Sequence, residues 1–337
     1  MPDERWVMVD CYLPKHNGVR KRFFEFLDQH QIKDLAVVFQ THPDYDHYLG
    51  MHDVLAHFIG ADDKSVGHYV DSGLNAQQIK RLLVEPKRPG RDEYQKLHKA
   101  LQNWHKDGNI FRHYGLDAER PPISPKGYRG KIDFIPIAPD PTTIRNLTEL
   151  GLESYRKNPQ AKLEANDLSL ILVLAVKIQN TEFNVLLSAD AGIESITNAL
   201  RIWGEHASEN GISDRFRVIK LAHHGSIKNY VPELSGMFVN DGSSNVAAVS
   251  AGERVALPDR QVLASFLKSN WIVMTTTVRR KRQFDRVVGL HLKRDSEVSF
   301  EERTISLRWN ENGELSFGPP DATVASSELD AYASAKQ

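Results

Sequence analysis

One apolar run sets the terms for this chain: Leu35-Ala36-Val37-Val38-Phe39, which leads straight into Thr41-His42-Pro43-Asp44-Tyr45-Asp46-His47. An uninterrupted run of this kind predicts a strand buried on both faces in a parallel sheet. Downstream, Leu49, Met51, Val54, Leu55 and Phe58 recur at helical spacing, so a helix is expected from near Tyr48. The loop between them then sits at the carboxyl end of a strand, where open α/β sheets build their sites. It holds four potential metal ligands within six residues, in the pattern His-x-Asp-x-Asp-His. Two imidazoles and two carboxylates converging there repel or stay protonated unless a cation joins them. A polar loop whose Asp46 caps the next helix is the plainer alternative.

The same rhythm recurs along the chain. Trp6-Val7-Met8-Val9 predicts a strand ending at Asp10, and Val19, Phe23, Phe26 and Leu27 a helical face. Residues 60–165 are less regular: Tyr94, Leu97, Leu101 and Trp104 mark one helix, Ile144, Leu147 and Leu150 another, and 132–137 a strand. We expect this stretch to be a helical insertion packed on the core, with Lys87-Arg88-Pro89-Gly90-Arg91 as a solvated turn. Strands at 169–177 and 183–187 read as a hairpin around Gln179-Asn180-Thr181-Glu182. The second runs into Ser188-Ala189-Asp190-Ala191-Gly192, ahead of a helix carrying Ile196, Ala199, Leu200 and Trp203. A strand at 217–222 ends in His223-His224-Gly225-Ser226, and another follows at 246–251. Strands at 271–276, 304–309 and 315–317 close a single domain over 1–318, leaving 319–337 as a small-residue, disordered tail.

The formal charge of −1 carries no global nucleic-acid signature, so any contact with DNA must come from a local patch. The single cysteine, Cys11, excludes an intramolecular disulfide framework, favours a reducing compartment, and is expected to be a buried small hydrophobe. The opening Met1-Pro2-Asp3-Glu4-Arg5 does not resemble a signal peptide, and the longest apolar run, 168–176, is too short for a bilayer. A cytoplasmic protein without a membrane partner is expected.

Ligand types thus appear at three strand ends: His42, Asp44, Asp46 and His47; Asp190; and His223 with His224. Six or seven nitrogen and oxygen ligands exceed what one tetrahedral ion needs and suit two metals sharing a carboxylate, with Asp190 the natural bridge. Asp190 also suits the N-cap of a helix beginning at Ala191, and the two roles are compatible. The His223-His224 pair has an alternative as one packed and one solvent-facing side chain. Carboxylate-rich ligation moves the preference from zinc toward manganese, with zinc still compatible.

The block at residues 41–47 resembles the signature loop of the metallo-β-lactamase superfamily, in the variant with Asp at the second histidine position. Together with Asn166-Asp167-Leu168-Ser169-Leu170, Leu186-Leu187-Ser188-Ala189-Asp190-Ala191 and Leu221-Ala222-His223-His224-Gly225-Ser226, it resembles the soluble hydrolase domain of the ComEC-type competence proteins. The resemblance spans about residues 6–276 and implies an αββα sandwich, a cleft for one or two divalent metals, and a nuclease acting on DNA. It implies His42, Asp44, Asp46, His47, Asp190 and one of His223 and His224 as ligands, with Asp46 and His47 catalytic and Asn166 and Ser226 lining the site. Three departures stand out. Ala256-Leu257-Pro258-Asp259 puts Leu257 where the family's closing segment has a histidine, so the second ion is weaker, held by His224 or Asp259, or absent. The family's additional strand ahead of Trp6 is missing, which suggests a trimmed edge or a start upstream of Met1. The membrane-spanning part of the competence proteins is missing too, so DNA uptake is not implied.

The activity expected from these residues is hydrolysis of a phosphodiester through a metal-activated water. Arg279, Arg280, Lys281 and Arg282, extended by Arg286, Lys293 and Arg294, are the candidate contacts to a nucleic-acid backbone, or else a solvated hairpin. Two rivals stand beside this: a hydrolase of a small ester, lactone or cyclic nucleotide with 60–165 as a lid, and a non-catalytic binding subunit whose site decayed at Leu257. A protein partner and the oligomeric state are left open.

Overall fold

In the computed structural model, residues 6–14, 18–72, 88–114, 122–139, 149, 157, 165–178, 181–242, 244–249, 257–275, 307–309, 315–317 and 323–324 are described. The chain divides into two units: residues 1–129 with 138–170, and residues 130–137 with 171–337. The class is mixed α/β, with one all-parallel sheet and one sheet of mixed direction.

In the first unit the run at 35–39 is β3 (Asp34–Phe39), and Val37, Val38 and Phe39 are wholly buried. β3 pairs in parallel with β1 (Trp6–Val9) and β4 (Ser65–Asp71), and β4 with β5 (Phe111–Tyr114). β2 (Cys11–Tyr12) and α1 (Val19–Gln29) lie between β1 and β3 in the chain. Cys11 is the buried residue expected, its thiol pushed up to about 12 chiefly by burial.

The helix expected from Tyr48 is divided in two. A single turn, α2 (Tyr45–Tyr48), ends with Leu49 as its C-cap, and α3 (Met51–Ile59) begins after Gly50. Gly50 has φ 87°, and a Cβ there would lie 2.7 Å from Leu13 Cβ, so only glycine fits. α3 then buries Met51, Val54, Leu55 and Phe58 completely, each stabilising the fold by about 1.5–3 kcal/mol.

The helical insertion expected over 60–165 is not what forms. β4 and β5 come from that stretch and complete the sheet, in the order β1-β3-β4-β5. Its polar residues hide the strand signal but are needed where they stand. Gly67 passes so close to β3 that a Cβ would meet the Ala36 carbonyl at 2.6 Å. Asp71 is buried against Arg112 of β5, with Nη2 donating to Oδ2 at 2.6 Å. The helix marked by Tyr94, Leu97 and Leu101 is present as α4 (Arg88–Lys106). Its first residues replace the turn expected at Arg88-Pro89-Gly90-Arg91, with Pro89 in the first turn, where its missing N–H costs nothing.

The second unit is built on a seven-stranded sheet in the order β14-β11-β10-β9-β8-β7-β6. β7 (Ile171–Ile178) and β8 (Thr181–Leu187) form the expected antiparallel hairpin, with Thr181 and Glu182 in β8 rather than in the turn. β8, β9 (Val218–Lys220), β10 (Asn245–Val249) and β11 (Trp271–Thr275) run parallel. α5 (Ile193–Asn210) links β8 to β9, and α6 (Arg260–Lys268) precedes β11. β6 (Ile132–Ala138) is one edge. At the other edge is β14 (Thr323–Val324), from the stretch expected as a tail, antiparallel to β11. β12 (Leu307–Trp309) and β13 (Leu315–Phe317) pair separately. One core cluster gathers Val176, Phe183, Val185, Val218, Val246 and Met274. Trp203 of α5 stacks on Phe216 at 6.1 Å and donates its indole N–H to the Asp214 carbonyl.

The helix expected at Ile144, Leu147 and Leu150, and the basic residues Arg279, Arg280, Lys281, Arg282, Arg286, Lys293 and Arg294, lie outside the described residues. Among the described residues, no helix is long and apolar enough to cross a membrane.

Candidate metal centre

In the first unit the loop after β3 is organised by a residue the sequence did not single out. Asp10, just past β1 and in the left-handed region at φ 61°, accepts three hydrogen bonds. Thr41 N donates to Oδ1 at 2.7 Å, the Thr41 hydroxyl donates to Oδ2 at 2.7 Å, and His47 Nδ1 donates to Oδ2 at 2.8 Å. Since the Thr41 hydroxyl gives its one proton to Asp10, it must accept from His42 Nδ1, 3.0 Å away. Both imidazoles therefore carry their proton on Nδ1, and Nε2 is the acceptor nitrogen of each. The two rings lie 3.9 Å apart, both buried.

Those Nε2 atoms face carboxylates. His42 Nε2 is 3.9 Å from Asp44 Oδ2, and His47 Nε2 is 3.9 Å from Asp46 Oδ2. Acceptor facing acceptor at that separation is no hydrogen bond. It is a span that two metal–ligand bonds of about 2.1 Å can bridge. The donor set therefore fits a divalent cation. Asp44 and Asp46 are exposed, on the solvent side of the buried histidines. Asp46 does not cap α3, whose N-cap is Gly50. Asn166 sits in a short 3-10 turn, Ala165–Leu168, and just beyond it Leu170 N donates to the Thr41 carbonyl at 2.8 Å.

In the second unit Asp190 follows β8 and is buried. It is not the helix cap that the sequence suggested, because α5 begins at Ile193 with Gly192 in the N-cap. Asp190 instead meets His223, whose Nδ1 is 3.2 Å from Oδ2. The Asn229 amide donates to the carbonyls of Asp190 and Ala191 at 3.3 and 2.9 Å, pinning this loop. His223, His224 and Gly225 take left-handed φ of 43°, 58° and 75° in succession. For the two histidines that conformation costs about 1–2 kcal/mol each. Their rings stand edge to face at 5.8 Å, so one diverges from the other as it meets Asp190. Ser226 caps the next short turn, its hydroxyl accepting from Lys228 N at 3.2 Å. Asp259 accepts from Ile227 N at 2.7 Å and donates its own N–H to the Gly225 carbonyl, so the segment carrying Leu257 braces the histidine turn.

The buried side chains His42 and His47 of the first unit, and Asp190 of the second, are each of a type that ligates metal ions. Asp10 and Thr41, which orient two of them, were missed because their signal is long-range. The one clue was that Asp10 ends a strand just as Asp190 does. No protein-family model and no curated protein matches the chain.

Proposed function

We propose that the chain is a metal-dependent phosphodiesterase of the metallo-β-lactamase type, an αββα sandwich acting on DNA in the cytoplasm. The observation that carries this is the Asp10–Thr41 relay, which turns the acceptor nitrogens of His42 and His47 toward Asp44 and Asp46. The ligands of this reading are His42, Asp44, Asp46 and His47 in the first unit, and Asp190 with one of His223 and His224 in the second. When bound there, a divalent ion such as zinc or manganese supplies Lewis acidity, acidifying water and offsetting charge on phosphoryl oxygens.

The chain's own residues do the rest. Asp10 keeps the proton on His47 Nδ1 and, through Thr41, on His42 Nδ1, so neither ligand nitrogen is blocked. Asp46 is exposed beside buried His47, and in this reading it would orient the attacking water and accept its proton. Asn229 and Asp259 keep the Asp190 and His223 loops fixed, which limits reorganisation during the reaction.

The test is metal analysis of the purified protein together with cleavage of labelled single- and double-stranded DNA in manganese. Wild type is expected to hold metal and cut, and the Asp46→Ala/His47→Ala double variant to do neither. Bound metal without DNA cleavage would transfer the reading to a small substrate. An absence of metal in wild type would sink the hydrolase reading altogether.

A further inference from the structure

Two tyrosines near the ligand loop are exposed: Tyr12 at 49% and Tyr45 at 37%. Neither is loosely held. Tyr12 lies between buried Cys11 and Leu13, and its backbone bridges to Leu49, immediately after α2. Leu13 N donates to the Leu49 carbonyl at 2.8 Å, locking the two segments together. Tyr45 stands between Asp44 and Asp46 at the start of α2. Its ring meets Tyr48 edge-on at 6.1 Å and 87°, and buried Tyr48 meets Tyr94 at 5.0 Å and 80°. The exposed ring is thus the outer end of an aromatic ladder rooted in the core. Because Tyr45 opens the turn that Leu49 ends, the bridge from Tyr12 to Leu49 sets the segment carrying Tyr12 beside the turn carrying Tyr45.

We propose that Tyr12 and Tyr45 form a stacking shelf for unpaired nucleobases, making single-stranded nucleic acid the substrate class; this rests on the phosphodiesterase reading above. Rigid aromatic faces held in water are what sequence-tolerant single-strand binders use, because every base offers a π-face. A duplex hides those faces in its own stack, so only a splayed base can lie on the shelf. A phosphodiester lying at the ligand loop places its neighbouring base beside Tyr45, since that ring and the ligands share one short turn.

The experiment measures fluorescence anisotropy of a labelled oligothymidylate of about a dozen nucleotides, in calcium to suppress turnover, against wild type, Tyr12→Ala, Tyr45→Ala and the corresponding Phe variants. Each Ala variant is expected to bind the single strand roughly five- to a hundredfold more weakly, with Phe restoring it to within about twofold. A duplex of the same length should bind wild type and variants alike. Thermal midpoint and manganese content serve as folding controls. The shelf is overturned if wild type does not bind the oligothymidylate, or if the Ala variants bind it as wild type does. Failure of the enzyme reading looks different: ring-dependent binding in calcium, with no cleavage in manganese, would leave the shelf standing and remove the hydrolase.

Discussion

Replacing Asp10 by Asn keeps size and shape but should disarm two ligands at once. The carboxylate accepts from Thr41 N with one oxygen and from the Thr41 hydroxyl and His47 Nδ1 with the other. An amide can still serve Thr41 N with its oxygen. Its NH2 then faces two donors. Relief comes only if His47 moves its proton to Nε2 and the Thr41 hydroxyl reverses, which in turn drives the His42 proton to Nε2. Both nitrogens meant for the cation are then blocked. Restoring the metal-binding tautomers against the amide forfeits one hydrogen bond at each histidine, about 1–2 kcal/mol apiece. The sum, about 2–4 kcal/mol, corresponds to a loss of roughly thirty- to several-hundredfold in metal affinity. Titration with manganese or zinc against a chelating dye measures this directly, and nitrogen-15 NMR of the metal-free protein reads the tautomers. If Asp10→Asn binds metal within about threefold of wild type, the relay does not set the tautomers and the reasoning fails.

Two further predictions concern stability. Arg112→Met leaves Asp71 buried without its guanidinium and should cost about 3–5 kcal/mol in chemical denaturation, while adding Asp71→Leu should recover most of it. Acid should also destabilise the protein: burial holds His68 and His98 below the ordinary imidazole value, and Arg112 beside His98 adds to the effect. Below an unfolded value of about 6.5 the unfolded chain binds protons that these histidines refuse, so stability is full above that pH and falls as pH drops through the folded values. His98→Gln should flatten the slope of thermal midpoint against pH between about 6.5 and 5, and an unchanged slope would discount His98 as a contributor.

How much of this could be read from the chain depended on the range of each signal. β3, the β7–β8 hairpin and α5 announce themselves through local apolar pattern, because what buries them is their own side chains. β4 does not, because Gly67 answers to Ala36 and Asp71 to Arg112, partners on neighbouring strands. The four candidate ligands after β3 were visible as a cluster, yet the residue that orients two of them was not. Asp10 acts on Thr41 and His47 from 31 and 37 positions away, and no local spacing encodes that. The cap suggested for Asp190 failed for a simpler reason. Two more residues pass before the helix starts, and that slack leaves the carboxylate to His223.

The left-handed turn at His223, His224 and Gly225 also bears on how this protein would respond to engineering. Glycine pays no steric cost at such angles, so at positions 223 and 224 the backbone alone would accept glycine more readily than histidine. A library screened only for heat resistance has an incentive to erase both imidazoles, since relief of backbone strain is what such a screen rewards. On the proposed function, a library screened for metal-dependent turnover would be pushed the other way. Under that proposal these two positions are where robustness and reactivity compete for the same atoms, and a stabilised variant is best sought with residues 223–225 held fixed.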